Sequence, residues 1–186
     1  MSKLYFKYGA MGSSKTASLL MTKFNYEQKG FKVLLIKPSV DIRDGLTTVR
    51  SRMGLQSTEA IPVSATDNMV DIYLRYKPHV ILVDEAQFLK EDQVTQFHEV
   101  VDMYDIPVIC YGLLTDFTTH LFEGSKRLVE IAESLDEIKT VCTCGRKATV
   151  NARISANRRI VKTGQQIELG GDDKYISLCY KCWTKL

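Results

Sequence analysis

The chain has 186 residues, 45% apolar and 25% charged, which suits one globular core with an appendage and falls short of two full domains. No run approaches the roughly 18–20 apolar residues of a membrane-spanning helix, and Met1 to Tyr8 is too polar for a secretory leader, so a cytoplasmic location is expected. The formal net charge is +3, yet positions 139–162 hold seven Lys or Arg and no acid, leaving 18 basic against 22 acidic residues elsewhere; such a segment is either a surface for a phosphate-bearing partner or a solvated hairpin.

Leu4 to Tyr8 reads as a strand ending at Gly9. A helix follows from about Lys15 to Lys29, with Ala17, Leu20, Met21 and Phe24 on one face and Gly30 as its stop. Val33 to Ile36 and Val80 to Val83 are buried-type strands, and Pro107 to Tyr111 is a fourth strand. The intervening helices are Asp67 to Tyr76, with Val70, Tyr73 and Leu74 inward, and Glu91 to Tyr104, with Val94, Phe97 and Val101 on one face. A last helix is expected over Leu121 to Ser134, with Leu128, Ile131 and Leu135 inward. Continuous apolar strands separated by helices predict a parallel sheet covered on both faces, with its site at the carboxyl ends of the strands. That places Gly9, Asp84 and Gly112 along one edge. The polar stretch from Pro38 to Pro62 is a long loop of the kind that is functional or mobile. Beyond about Ile138 the pattern changes to a hairpin, Lys147 to Ile154 and Arg158 to Lys162, turning at Ser155-Ala-Asn157.

Gly9-Ala10-Met11-Gly12-Ser13-Ser14-Lys15-Thr16 follows a strand and opens a helix, the context of a phosphate-binding loop. Backbone N–H groups and the positive helix end cradle phosphates, Lys15 neutralises the terminal ones, and the Thr16 hydroxyl ligates Mg²⁺. Ser14 departs from the glycine usual before the lysine. The strand Val80 to Val83 ends in Asp84-Glu85, where Asp84 is the second magnesium group, held directly or through water. Glu85 serves either to orient water in an ATP hydrolase or to accept a proton from a hydroxyl in a kinase; these residues alone do not choose.

Cys142-x-Cys144 and Cys179-x-x-Cys182, separated by 34 residues, are two close thiol pairs. In a cytosolic chain they read as a structural tetrahedral zinc site rather than disulfides. The zinc would close the segment between them into a loop pinned at its base. A zinc ribbon with a basic hairpin can also bind nucleic acid, but here it lacks interleaved aromatics for base stacking, with only Tyr175 and Tyr180 nearby. Cys110 sits in an apolar strand and reads as a buried core thiol.

Taken together, these segments resemble the zinc-containing (type II) thymidine kinase family in its bacterial form, over essentially the whole chain. The likeness rests on Gly9 to Thr16, Val83-Asp-Glu-Ala-Gln-Phe88, Cys110-Tyr-Gly-Leu113 with Thr115-Asp-Phe117, Cys142-Thr-Cys-Gly-Arg-Lys-Ala148, and Gly170 to Cys179. The resemblance implies a P-loop NTPase-like kinase domain over 1–138 and a small zinc-anchored β lid over 139–186. It implies transfer of the γ-phosphate of ATP, with Mg²⁺, to the 5′-hydroxyl of thymidine, deoxyuridine also being tolerated. It makes Glu85 the catalytic base. Gly9 to Thr16, with Asp84 and Gln87, become the ATP-binding set. Phe88, Leu113, Phe117, Phe122 and Tyr175 become the nucleoside-binding set. Asp41-Ile-Arg43 and Ser51 to Gly54 resemble the family's mobile loop, where Arg43 or Arg52 would add positive charge near the phosphates. The family's tetramers and restraint by dTTP are implied in the same way, and neither a nucleic acid nor a membrane partner is.

Overall fold

The computed structural model describes residues 1–166 and 174–185. Its elements are β1 (Leu4–Tyr8), α1 (Lys15–Gln28), β2 (Val33–Pro38), β3 (Val49–Arg50), β4 (Gln56–Ser57), β5 (Ile61–Val63), α2 (Met69–Tyr76), β6 (Val80–Val83), a 3₁₀ turn (Ala86–Phe88), α3 (Glu91–Tyr104), β7 (Val108–Gly112), α4 (Glu123–Ile131), β8 (Ser134–Glu137), β9 (Val150–Ile154), β10 (Ile160–Val161), β11 (Tyr175–Leu178) and α5 (Tyr180–Lys185). Six strands form a parallel sheet in the order β5-β2-β6-β7-β1-β8.

The strands are apolar on both sides because both faces are covered. Ile81, Val83, Val108 and Cys110 point toward α2, α3 and α4, where Met69, Val94, Phe97 and Leu128 complete one core. Val80, Leu82, Ile109 and Tyr111 point the other way, onto Leu19 and Leu20 of α1. Local chemistry sets the boundaries of the helices. Asn68 caps α2 through its Oδ1, which accepts from the Val70 and Asp71 N–H groups. After α1 the chain reverses at Gly30, whose φ of +79° is the left-handed region that glycine enters without a Cβ penalty.

Several expectations about facing are corrected. Met21 and Phe24 are exposed, and the buried positions of α1 are Ala17, Leu19 and Leu20. The helix carries apolar residues on more than one stripe, and the sheet selected the one that meets Tyr111 and Leu82. Leu74 of α2 is likewise exposed while Met69 is buried. The last helix stops at Ile131, and Ser134–Glu137 becomes the edge strand β8 with Leu135 exposed, because pairing Phe6 with Leu135 beside β1 overrides the helical spacing. The Pro38 to Pro62 loop contains the small β3–β4 hairpin and runs into β5, an edge strand that its Pro62 tolerates.

The C-terminal segment folds as a separate three-stranded antiparallel sheet, β10-β9-β11. The predicted hairpin is β9 and β10, and the sequence reading missed β11. Arg153, counted among the basic residues of this segment, is buried rather than solvated. Of the family-like segment Gly170 to Cys179, positions 170–173 lie outside the described residues.

Candidate active site

The carboxyl ends of β1, β6 and β7 converge as expected. The Gly9 N–H donates to the Gly112 carbonyl at 3.3 Å, joining the ends of β1 and β7. A Cβ at Gly9 would lie 2.2 Å from the Ile138 carbonyl oxygen, so no side chain fits there. Gly12 turns the phosphate loop with φ +74°, and Ser14 takes φ 62°, ψ 27°, the left-handed conformation a glycine would adopt freely. Serine thus keeps the loop's path at a backbone cost of about 1–2 kcal/mol. Lys15 lies across the loop, its Nζ donating to the Gly9 and Ala10 carbonyls at 3.0 and 2.9 Å and to Ser13 Oγ at 3.3 Å. Burial lowers its pKa to about 8, against the pull of Glu85 and Asp84.

The Thr16 hydroxyl lies 3.3–3.4 Å from both carboxylate oxygens of Asp84 at the end of β6. Two oxygens on adjacent corners of a magnesium octahedron lie about 3 Å apart, so this pair fits the hard cation that such a loop requires. Burial, reinforced by neighbouring Glu85, raises Asp84 to about 7. A carboxyl so placed is relieved by a shared cation.

Glu85 also sits in the left-handed region, at φ 50°, which turns its side chain out of the strand line. Two donors hold its two oxygens. Arg43 Nη2 meets Oε1 at 2.5 Å, and Gln87 Nε2 meets Oε2 at 2.5 Å. Gln87 is fixed in turn, its Oε1 accepting from the Leu113 N–H at 3.0 Å. Arg43 is braced by Asp41, Nε to Oδ1 at 2.6 Å, and Asp41 pairs with the fully buried Lys37 at 3.3 Å. A chain of charges therefore runs from the end of β2 to Glu85.

Two adjoining clefts meet at Met11, Arg43, Glu85 and Leu113. The polar one is lined by Gly12, Ser14, Lys15, Thr16 and Asp84, together with Lys37, Asp41 and Arg52. The more apolar one is lined by Phe88, Leu113, Phe117, Phe122 and Tyr175, so the five expected nucleoside-side residues share one pocket. The rings of Phe88 and Phe122 meet edge to face at 5.8 Å. Gln87 lines this second pocket rather than the phosphate cleft, and Gly9, Ala10 and Ser13 shape the loop from beneath without lining either. Of the two loop arginines, Arg43 reaches Glu85 while Arg52 lines only the phosphate cleft.

The sequence reading gave no role in the site to several residues of this wall. Asp116 is buried and accepts from the Thr118 N–H and hydroxyl and from Gln166 Nε2. Asp-x-Thr is a turn signature that was available to find it. Arg153 lies 3.8 Å from the centre of the Phe117 ring and donates to Tyr175 Oη at 2.9 Å, tying the core to β11. Asn151 is buried in β9, where asparagine is otherwise depleted. Lys37 carried no recognisable motif, and Asp41 stood only within the mobile-loop likeness of Asp41-Ile-Arg43, with no part of its own.

The four cysteines also converge. The sulfurs of Cys142, Cys144, Cys179 and Cys182 all lie within 4.8 Å of one another, and those of Cys144 and Cys179 are 3.7 Å apart. Zinc–sulfur bonds of about 2.3 Å in a tetrahedron put sulfurs about 3.8 Å apart, so the set fits zinc. The Cys144 and then the Cys179 backbone N–H lower the Cys142 thiol to about 6, while hydrogen bonds to Cys144 and Cys179 push Cys182 up to about 12. Four thiolates this close need a shared cation to ionise together. Cys110 is buried in β7, which pushes its thiol well above the ordinary range and leaves it inert.

A thymidine kinase family model matches residues 2–183. Over 193 aligned residues the chain is 47% identical to a thymidine kinase of Enterobacteria phage T4, covering 100% of this chain and 97% of that one. It is 45% identical to a thymidine kinase of Zymomonas mobilis, covering 96% and 94%, and 43% identical to one of Rhodopirellula baltica, covering 96% and 86%. With relatives this similar along their whole length, the chain belongs to the thymidine kinase family.

Proposed function

We propose that the protein transfers the γ-phosphate of ATP to the 5′-hydroxyl of thymidine, giving dTMP and ADP. The observation that carries this reading is the meeting of the polar and apolar clefts at Glu85. Triphosphate lies over the loop from Gly9 to Thr16, and the nucleoside occupies the pocket of Phe88, Leu113, Phe117, Phe122 and Tyr175. The 5′-oxygen forms a bond to the γ-phosphorus as the bond to the bridging oxygen of ADP breaks, and the hydroxyl proton passes to Glu85. Arg43 and Gln87 orient that carboxylate, and Lys15 neutralises charge on the terminal phosphates. Thr16 and Asp84 would hold Mg²⁺, which supplies charge neutralisation at the triphosphate. Positioning and charge account for most of the rate, with proton transfer adding about 10²–10⁴.

Residues 1–138 serve as the kinase domain and 139–186 as a lid pinned by zinc on Cys142, Cys144, Cys179 and Cys182. An apolar wall separates the 5-methyl group of thymidine from hydrogen by only about 1–3 kcal/mol, so deoxyuridine is also a substrate. Family resemblance supports a cytoplasmic tetramer restrained by dTTP, and among the described residues no helix is long and apolar enough to cross a membrane. The test is ATP consumption with each deoxynucleoside in turn. Stimulation by thymidine and deoxyuridine is expected; equal stimulation by all four, or by none, would overturn the reading.

A further inference from the structure

The phosphate loop does not rest on its own sheet alone: the lid grips it at Met11. Asn151 of β9 accepts from the Met11 N–H through Oδ1 at 2.7 Å. Ser177 of β11, the cross-strand partner of Asn151, donates its hydroxyl to the Met11 carbonyl. One peptide unit on each side of Met11 is thus held by one pair of neighbouring lid residues. The other end of the Asn151 carboxamide donates from Nδ2 to the Thr115 carbonyl at 2.9 Å, on the wall of the apolar pocket. Met11 itself lines both clefts.

Only a carboxamide supplies this link. It needs an acceptor toward the phosphate loop and a donor toward the nucleoside wall, on a side chain that is 3% exposed and so cannot borrow water for either. Leucine has neither group, and aspartate keeps the acceptor but turns a carboxylate oxygen on the Thr115 carbonyl.

We propose that Asn151 is a positioning residue that couples the two substrate sites, so that a nucleoside held against the pocket wall at Thr115 also steadies Met11 and the phosphate loop. The proposal rests on the thymidine kinase reading. Binding of a non-hydrolysable ATP analogue with Mg²⁺ would be measured by calorimetry with and without saturating thymidine, and thymidine binding with and without the analogue. In the unaltered protein each ligand should tighten the other by the same factor, about five-fold or more. Asn151→Leu and Asn151→Asp should bring that factor close to one and lower kcat/KM for thymidine by about ten-fold, a pattern that a merely structural role does not produce. Ser177→Ala, at a half-buried position, should also lower the factor, and it decides the matter if the Asn151 variants do not fold. A factor near one in the unaltered protein, or one unchanged in Asn151→Leu and Ser177→Ala, overturns the proposal. Absence of thymidine binding altogether would remove the functional reading as well, whereas active enzyme without coupling removes this inference alone.

Discussion

Asp41→Asn should destabilise the protein and slow it together. Lys37 is 1% exposed, and its ammonium has three partners: the Gly45 and Thr48 carbonyls at 2.9 Å each and the Asp41 carboxylate at 3.3 Å. Removing one member of a buried ion pair costs about 3–5 kcal/mol because the other charge is left uncompensated. Here two carbonyls remain and asparagine keeps one oxygen, so the expected loss is about 2–3 kcal/mol. For a chain of this size that lowers Tm by about 5–10 °C. Burial works against the Asp41 carboxylate, but Arg43 and Lys37 outweigh it and hold its pKa below the usual value. A depressed folded-state pKa gives stability that is fully present above the unfolded value of about 4 and is lost as pH falls through the folded one. Urea unfolding of the variant and the unaltered protein should therefore differ at pH 7 and converge as the pH drops below about 4. Adding Lys37→Met to the variant should recover part of the loss. Equal stability at pH 7, or a double variant no more stable than Asp41→Asn alone, would refute the reasoning. Turnover should fall as well, since Asp41 braces the arginine that orients Glu85.

Glu85→Gln should reduce turnover by about 10²–10⁴ while the affinity for an ATP analogue stays nearly intact; full activity would remove Glu85 from its role. Ser14→Gly relieves a left-handed serine but loosens the unfolded chain, so it should range from neutral to about 1 kcal/mol stabilising by thermal unfolding, and a loss larger than that would contradict the loop geometry. Metal analysis should return about one zinc per chain, and chelation should expose 139–186 to limited proteolysis before 1–138; a zinc-free sample equally resistant would rule out the metal.

Local chemistry is what the chain announces in its residues. The phosphate loop was legible because a strand, two glycines and Lys15-Thr16 follow one another without a gap. The cysteine pairs were legible because ligand spacing is itself local. Strand identity from Val80 to Val83 was equally plain, since both faces of a parallel sheet demand apolar side chains. Leu135 and Phe24 show the limit: periodicity marks apolar positions, but which stripe is buried depends on the partner surface. Tyr175 and Phe117 could be placed in one pocket only through family resemblance, because nothing in their spacing brings positions 58 apart together.

The brace from Lys37 through Asp41 and Arg43 to Glu85, and the grip of Asn151 and Ser177 on Met11, belong to the tertiary structure alone. Lys37, Asp41 and Arg43 are close in sequence, but the step from Arg43 to Glu85 and both contacts on Met11 join distant segments, and all of them depend on burial that exists only once the two sheets have packed together. The amino-acid sequence by itself determined which groups could perform phosphoryl transfer. Folding decided which of them are held still, because a hydrogen bond or ion pair gains its directing strength only where water has been excluded.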